Sequence, residues 1–227
     1  MTASAIKSKA TVRQLASEIL VKVDTENAYL DALFEKTFLS AGLEERDRAL
    51  LTEITYGTLR WRGSIDARLA KHLRRPLEEL DPPIRSLLRL TGYQLLYLSR
   101  VPPYAAVNEA VEIAKLRGGQ KAGGFVNALL RNLLRARDAA IELPRDPVSA
   151  LAIQYSHPEW LVRRWIDQFG IDQAVELFKA NNEKPALVVR ANRIKCTRDQ
   201  LLERFTRAGI DVVPVSFAPD GVAVAGG

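Results

Sequence analysis

The chain has 227 residues, 33 Lys/Arg against 27 Asp/Glu, a formal net charge of +6 and 47% hydrophobic residues, which suits one large or two modest soluble domains and a polyanionic partner. No run approaches the roughly 18 apolar residues of a membrane span, so no membrane partner is expected. One cysteine and two histidines exclude an intramolecular disulfide and a Cys/His metal framework, and the start MTASAIKSKATVRQL has no apolar stretch before a small-residue cleavage site, which places the expected location in the cytoplasm.

Thr11 can cap a helix whose Val12, Leu15, Ala16, Ile19 and Val23 recur at three- and four-residue spacing. Asn27 or Thr25 opens a second, with Leu30, Leu33, Phe34 and Phe38 on one side and Gly42 just past its end. A third runs from Glu44 to Trp61 through Leu50, Leu51, Ile54 and Leu59, its far end weakened by Gly57 and Gly63. Between Thr58 and Arg75 stand Arg60, Arg62, Arg68, Lys71, Arg74 and Arg75, with Asp66 the only acid and Trp61 among them. Two readings are open there: phosphate contact with base stacking on Trp61, or a solvated helix face with Trp61 in the core. His72 reads as a surface residue.

Asp81-Pro82-Pro83 is a strong helix start, because Asp offers a cap and proline loses nothing in the first turn. The helix that follows puts Ile84, Leu87, Leu88, Thr91, Leu95 and Leu98 on one face and should run through the centre of a bundle. Val101 to Arg137 then reads as two helices joined by a glycine turn. The first carries a small-residue stripe of Val107, Ala110, Val111 and Ala114; the second turns Phe125, Val126, Leu129, Leu130, Leu133 and Leu134 inward. Asn127, Arg131 and Arg135 line up at i, i+4 spacing on another side. From Ile113 to Arg137 there are six Lys/Arg, Lys121 among them, and no acid. GGQKAGG at 118–124 has no strand before it and no Gly-Lys-Ser/Thr after it, so it reads as an interhelical turn and not a phosphate loop.

IELPRDP at 141–147 breaks the pattern and marks a linker, dividing the chain into a helical domain 1–143 and a smaller domain 144–227. In the second, Val148 to Tyr155, Pro158 to Phe169 and Ile171 to Asn181 read as helices, with Trp160, Leu161, Trp165 and Phe169 as a core stripe. His157 packs against or caps the Trp160 helix. ALVVRAN, a helix from Arg198 to Ala208 closed by Gly209, and DVVPVSF give β–α–β order. Val222 to Ala225 starts a further strand before Gly226-Gly227, and the unit looks unfinished. Residues 1–150 hold 23 Lys/Arg against 18 Asp/Glu, and 151–227 hold 10 against 9, which puts the expected polyanion face in the first part.

VPPYAAVNEAVEIAK and GGFVNALLR resemble the NusB-like RNA-binding domain. EITYGTLRWRGSIDARL and QYSHPEWLVRRWIDQFG resemble the RsmB/Sun family of bacterial ribosomal RNA cytosine-C5 methyltransferases, and together these words span nearly the whole chain. The resemblance implies a mainly α fold: a NusB-like helical bundle followed by a small, truncated α+β connecting domain. A catalytic domain that binds S-adenosylmethionine would then lie beyond Gly227. That family attacks cytosine through cysteines in Pro-Cys and Thr-Cys motifs, and neither motif occurs here; Cys196, in IKCTRD, matches neither position. No cofactor is therefore expected in this chain, S-adenosylmethionine belonging to the full-length parent, and the chain alone is expected to be inactive. Its expected partners are ribosomal RNA and its own missing methyltransferase domain. The candidate RNA contacts are Arg13, Arg60, Arg62, Arg68, Lys71, Lys121, Asn127, Arg131 and Arg135. A stand-alone NusB-like antitermination module is the alternative, opposed by the long segment after Pro144; a self-sufficient enzyme built on His157, Cys196 or a carboxylate pair is the third reading.

Overall fold

A computed structural model describes residues 10–225; the polar start before Ala10 and the closing Gly226-Gly227 lie outside the described residues. Helix α1 (Val12–Glu26) begins with a capping box, in which the Thr11 hydroxyl accepts from the Gln14 amide and the Gln14 side chain accepts from the Thr11 amide. Asn27 does not open the next helix. It closes α1 in the left-handed conformation at φ 51°, which asparagine tolerates, and α2 (Leu30–Ala41) starts from Tyr29 with no side-chain cap. Gly42 ends α2 at φ 55°, as expected. There follow α3 (Glu45–Arg60), α4 (Arg62–Ala70), a short 3-10 turn (Leu77–Glu79), α5 (Pro82–Tyr97) and α6 (Pro103–Arg135). Asp81 stands at the cap of α5, but its side chain makes no capping bond; Pro82 in the first turn marks the start.

The α5 helix is the axis of this bundle, as the sequence predicts. Ile84, Leu87, Leu88 and Leu95 bury against Ile65 and Leu69 of α4 and Leu129, Leu130 and Leu133 of α6. Leu90 faces a second cluster with Ala16, Ile19, Leu20, Phe34, Leu51 and Ile54 from α1 to α3. Each fully buried leucine contributes about 1.5–3 kcal/mol. Gly57 does more than weaken α3: a Cβ there would fall 2.0 Å from Cζ of Tyr93, so its missing side chain is what lets the Tyr93 ring pack against α3. In α6 only Gly118 and Gly119 leave the helical conformation, Gly119 with φ 67°. The interhelical turn is therefore two residues and not the seven of GGQKAGG. Phe125, expected inward, is 40% exposed.

After the linker come α7 (Pro147–Tyr155), α8 (Glu159–Phe169) and α9 (Ile171–Asn182). The Asp146 carboxylate accepts from the Ser149 amide at 2.8 Å and its hydroxyl at 2.9 Å, which caps α7 and holds the Asp146 carboxyl below the usual carboxylate range. Ala152, Val162, Ala174 and Phe178 form a small core with Trp165 packed against it. The expected aromatic core stripe is only partly met, since Trp160 is 65% and Phe169 39% exposed. The Gly63 amide donates to the Ser156 hydroxyl at 2.7 Å, joining α4 to the end of α7. By contacts the chain divides into units 1–178 and 179–227, so α7 and α8 group with the first unit, whereas the division at 143/144 follows composition.

The second unit contains β1 (Leu187–Arg190), α10 (Arg198–Arg207), β2 (Val212–Pro214) and β3 (Gly221–Val224). Strand β3 lies between the others and is antiparallel to both, with Val224 opposite Leu187 on one side and Val212 on the other. The expected β–α–β order holds, with a third strand inserted between its two strands. The whole is mainly α with a small α+β part, and no helix among the described residues is long and apolar enough to cross a membrane.

Candidate nucleic-acid interface

The predicted basic residues separate into two sets. Arg13 of α1 donates through Nε to Oε1 of buried Gln94 at 2.7 Å and through Nη1 to Glu109 at 2.5 Å, binding α1 to α5 and α6. Arg62 donates to Asp24 at 3.0 Å and lies 4.0 Å from Asp66. Both carboxylates also hold Arg89, which donates to Asp66 through two parallel bonds of 2.8 Å and to Asp24 at 2.5 Å. Arg89 is 4% exposed, and Arg85 comes within 3.8 Å of Asp24. Arg68 donates to the carbonyls of Arg137 and Ala139 at 3.3 and 3.1 Å, fastening α4 to the turn that follows α6. Lys71 pairs with Glu142 at 3.4 Å. These four predicted contacts, Arg13, Arg62, Arg68 and Lys71, each have a partner within the protein, and Arg62 and the Lys71–Glu142 pair stay at the surface.

Trp61 stacks on Tyr97 with ring centroids 4.7 Å apart, and Tyr97 donates to the Ser64 hydroxyl at 3.0 Å. The Trp61 indole is half-buried, with one ring face stacked inside the protein. Burial and a hydrogen bond to Glu53 push the Tyr93 phenol well up. His72 is half-buried, not fully at the surface.

The second set lies on the outer line of α6. Exposed positions 121, 124, 125, 128, 131, 132 and 135 recur at three- and four-residue intervals, the period of one helix face. The opposite face buries Val126, Leu129, Leu130 and Leu133, which fixes that line outward. Arg131 donates to Asn127 at 3.0 Å, an amide and not a carboxylate. Among the described residues, Lys121 and Arg135 have no hydrogen bond or ion pair, and Arg60 has no ion pair. Each guanidinium carries five donors and stays charged at any physiological pH. The strip can therefore accept phosphate oxygens without first breaking an internal pair. Phe125, which the inward assignment misses, stands on the same line; its signal is the four-residue step from Lys121.

Among the described residues no three His, Cys, Asp or Glu converge as a metal site. His157 donates through Nδ1 to the Tyr155 carbonyl at 2.7 Å and packs its ring 5.0 Å from Phe178 and 6.0 Å from Trp165. Burial lowers its pKa below the ordinary imidazole value. Cys196 is a half-buried free thiol in the second unit.

The NusB family matches residues 10–135, and the Methyltr_RsmF/B-like, ferredoxin-like domain matches residues 157–227. The probable ribosomal RNA small subunit methyltransferase B of Bacillus subtilis (strain 168) is 37% identical, the match covering 94% of this chain and 48% of the relative. Among solved structures, PH0851 is similar with a TM-score of 0.67 at 19% identity, covering 96% of this chain and 49% of its own. The antitermination factors NusB and NusE in complex with dsRNA give a TM-score of 0.51 at 24% identity over 55% of this chain and 94% of that one. These two likenesses show the fold. The chain spans about half the length of the curated relatives it matches.

Proposed function

The chain belongs to the NusB family, and from that premise we propose that it is the RNA-recognising region of a small-subunit ribosomal RNA methyltransferase working in the cytoplasm. The observation that carries this is the order of its two matches, a NusB domain at 10–135 followed by an RsmF/B-like ferredoxin-like domain at 157–227. A stand-alone NusB-like module gives no reason for the second match. In this reading 1–143 holds ribosomal RNA and 144–227 connects it to a methyltransferase domain, which moves a methyl group from S-adenosylmethionine to C5 of a cytosine.

The described residues do not fit S-adenosylmethionine. The sheet is antiparallel with β3 between the other strands, and its one strand-to-helix connection, RANRIKCT, lacks glycine. A parallel sheet with a crevice at its switch point, the usual cradle for an adenosine cofactor, is not formed by these strands. No step of methyl transfer is assigned to this chain.

What its own residues do is hold a polyanion. Lys121, Arg131 and Arg135 of α6, and separately Arg60 at the end of α3, meet phosphate oxygens, and Asn127 accepts from Arg131 and orients it. Such contacts position RNA without reading sequence and give a binding constant that falls steeply with salt. Binding of the chain to a small-subunit rRNA hairpin, titrated from 50 to 200 mM salt, tests this. Loss of about tenfold in affinity in the Arg131→Ala plus Arg135→Ala variant is expected, about 0.7 kcal/mol for each phosphate contact. Binding indifferent to salt and to both substitutions sinks the assignment.

A further inference from the structure

Residues 151–227 are nearly neutral in composition, 10 Lys/Arg against 9 Asp/Glu, yet the cations are not evenly spread. RANRIKCTR, residues 190–198, holds Arg190, Arg193, Lys195 and Arg198 in nine residues with no acid. The local fold turns that run into one surface. The Ala191 amide donates to the Asp220 carbonyl at 2.9 Å, fastening the end of β1 to the turn before β3. The Asn192 carbonyl then accepts from the Lys195 and Cys196 amides at 2.8 and 2.9 Å, and its side chain accepts from the Ile194 amide at 3.1 Å. These bonds draw the loop tight and lift Ile194, 96% exposed, to its tip.

Thr197 starts α10 with a capping box, so the positive end of that helix faces the loop. Asp220 answers one cation, accepting from Arg193 at 2.9 Å. Among the described residues Arg190 and Lys195 have no ion pair. Arg198 is held only loosely, 3.7 Å from Asp199, and its Nε makes no hydrogen bond. Two grooves open side by side on the loop. Arg190, Asn192, Arg193 and Asp220 line one, and Arg193, Cys196, Thr197, Arg198, Asp199 and Asp220 line the other. Arg193, locked by Asp220, is the wall they share. Neither groove has an aromatic side chain among its lining residues, so nothing there stacks on a base; Asp220 is taken up by Arg193 and Asp199 lies beside Arg198, which leaves Arg190 and the exposed Lys195 as the cations open to phosphate oxygens.

We propose that the 190–198 loop of the second unit binds the phosphodiester backbone of RNA at successive phosphates, as a site separate from the α6 strip. The proposal rests on the reading that this chain meets RNA, and the chain supplies its own reporter. Cys196, the single cysteine, lines the second groove. The 227-residue chain is reacted with a maleimide, with and without a fluorescein-labelled small-subunit rRNA stem-loop at low salt. Saturating RNA is expected to slow Cys196 alkylation by about fivefold or more, since thiol reactivity follows access. The Arg190→Ala plus Lys195→Ala variant is expected to bind about tenfold more weakly, with a salt slope smaller by about 2 and an unchanged circular dichroism spectrum. The α6 variant, Arg131→Ala plus Arg135→Ala, retains the Cys196 protection once RNA is saturating. If RNA binds in a salt-dependent way while Cys196 reacts at its free rate and the loop variant binds normally, the loop site falls and the RNA reading stands. Equal protection by inorganic phosphate at the same phosphate concentration reduces the loop to a small-anion site and overturns the proposal. Protection by a polyglutamate peptide and not by RNA overturns it too, in favour of an acidic protein partner. No RNA binding by the chain under any salt defeats the functional reading itself.

Discussion

Around Arg89, charged side chains from three helices close on one another, with Arg62 at the solvent edge: Asp24 of α1, Asp66 and Arg62 of α4, and Arg85 and Arg89 of α5. Along the outer line of α6, Lys121, Arg131 and Arg135 stand exposed with one amide between them. The same side-chain chemistry does two different things in adjacent helices. A buried guanidinium is tolerable only because two carboxylates meet its donors, and that need fixes where α1, α4 and α5 sit. An exposed one costs little, fixes nothing, and keeps its donors available to a ligand.

Removing Arg89 should give the largest effect. Arg89→Met takes from Asp24 and Asp66 their most buried donor, leaving them only Arg62 and Arg85, and should cost about 3 kcal/mol of unfolding free energy; denaturant unfolding that shifts by less than about 1 kcal/mol would erase the distinction between the two sets. Arg13→Ala tests an intermediate case. It strips the donor from buried Gln94 and from Glu109 and should cost about 2 kcal/mol, with no change in the salt slope of RNA binding.

The α6 strip should behave in the opposite way. Arg131→Ala plus Arg135→Ala is expected to leave stability within about 0.5 kcal/mol while weakening RNA about tenfold. A large loss of stability with unchanged RNA affinity would reverse the comparison. Arg68→Ala lies between the sets, because its two carbonyl bonds are at the surface; about 0.5–1 kcal/mol is expected, read as a small shift in the denaturation midpoint.

Smallest of all is a pH effect centred on His157, to which the guanidinium groups, charged throughout, contribute nothing by titration. His157 has a folded pKa below its ordinary value, so the unfolded chain binds protons that the native state holds off. Its contribution is fully present above the ordinary imidazole range and is lost as pH falls through the depressed folded pKa. Wild-type stability measured between pH 7.5 and 5.5 should therefore decline with acid, and His157→Phe should flatten that decline. An unaltered profile would place the acid sensitivity elsewhere.

Local signals carried the helices well. Thr11 with Gln14, Asp81-Pro82-Pro83 and Gly118-Gly119 each sit where the chain starts or breaks a helix. The outward line of Asn127, Arg131 and Arg135 follows from spacing alone, because the apolar positions between them leave one face free. Arg89 was not legible in this way. Its partners are 65 and 23 residues away in sequence, and nothing local distinguishes it from the exposed arginines. Trp160 failed for the converse reason: its spacing matches a core stripe, but α8 buries only Val162 fully, half-buries Trp165 and leaves the indole of Trp160 outside. The loop at 190–198 was masked by averaging, since its four cations are balanced by acids elsewhere in the second part.

By itself, then, the sequence determined the helical class, most helix ends and the kinship of the two parts, because capping, proline geometry and apolar period act over a few residues. Which arginines are structural and which are free was decided only by the tertiary structure. Burial and charge pairing are relations between helices, and Asp24, Asp66 and Arg89 become neighbours only once α1, α4 and α5 have packed.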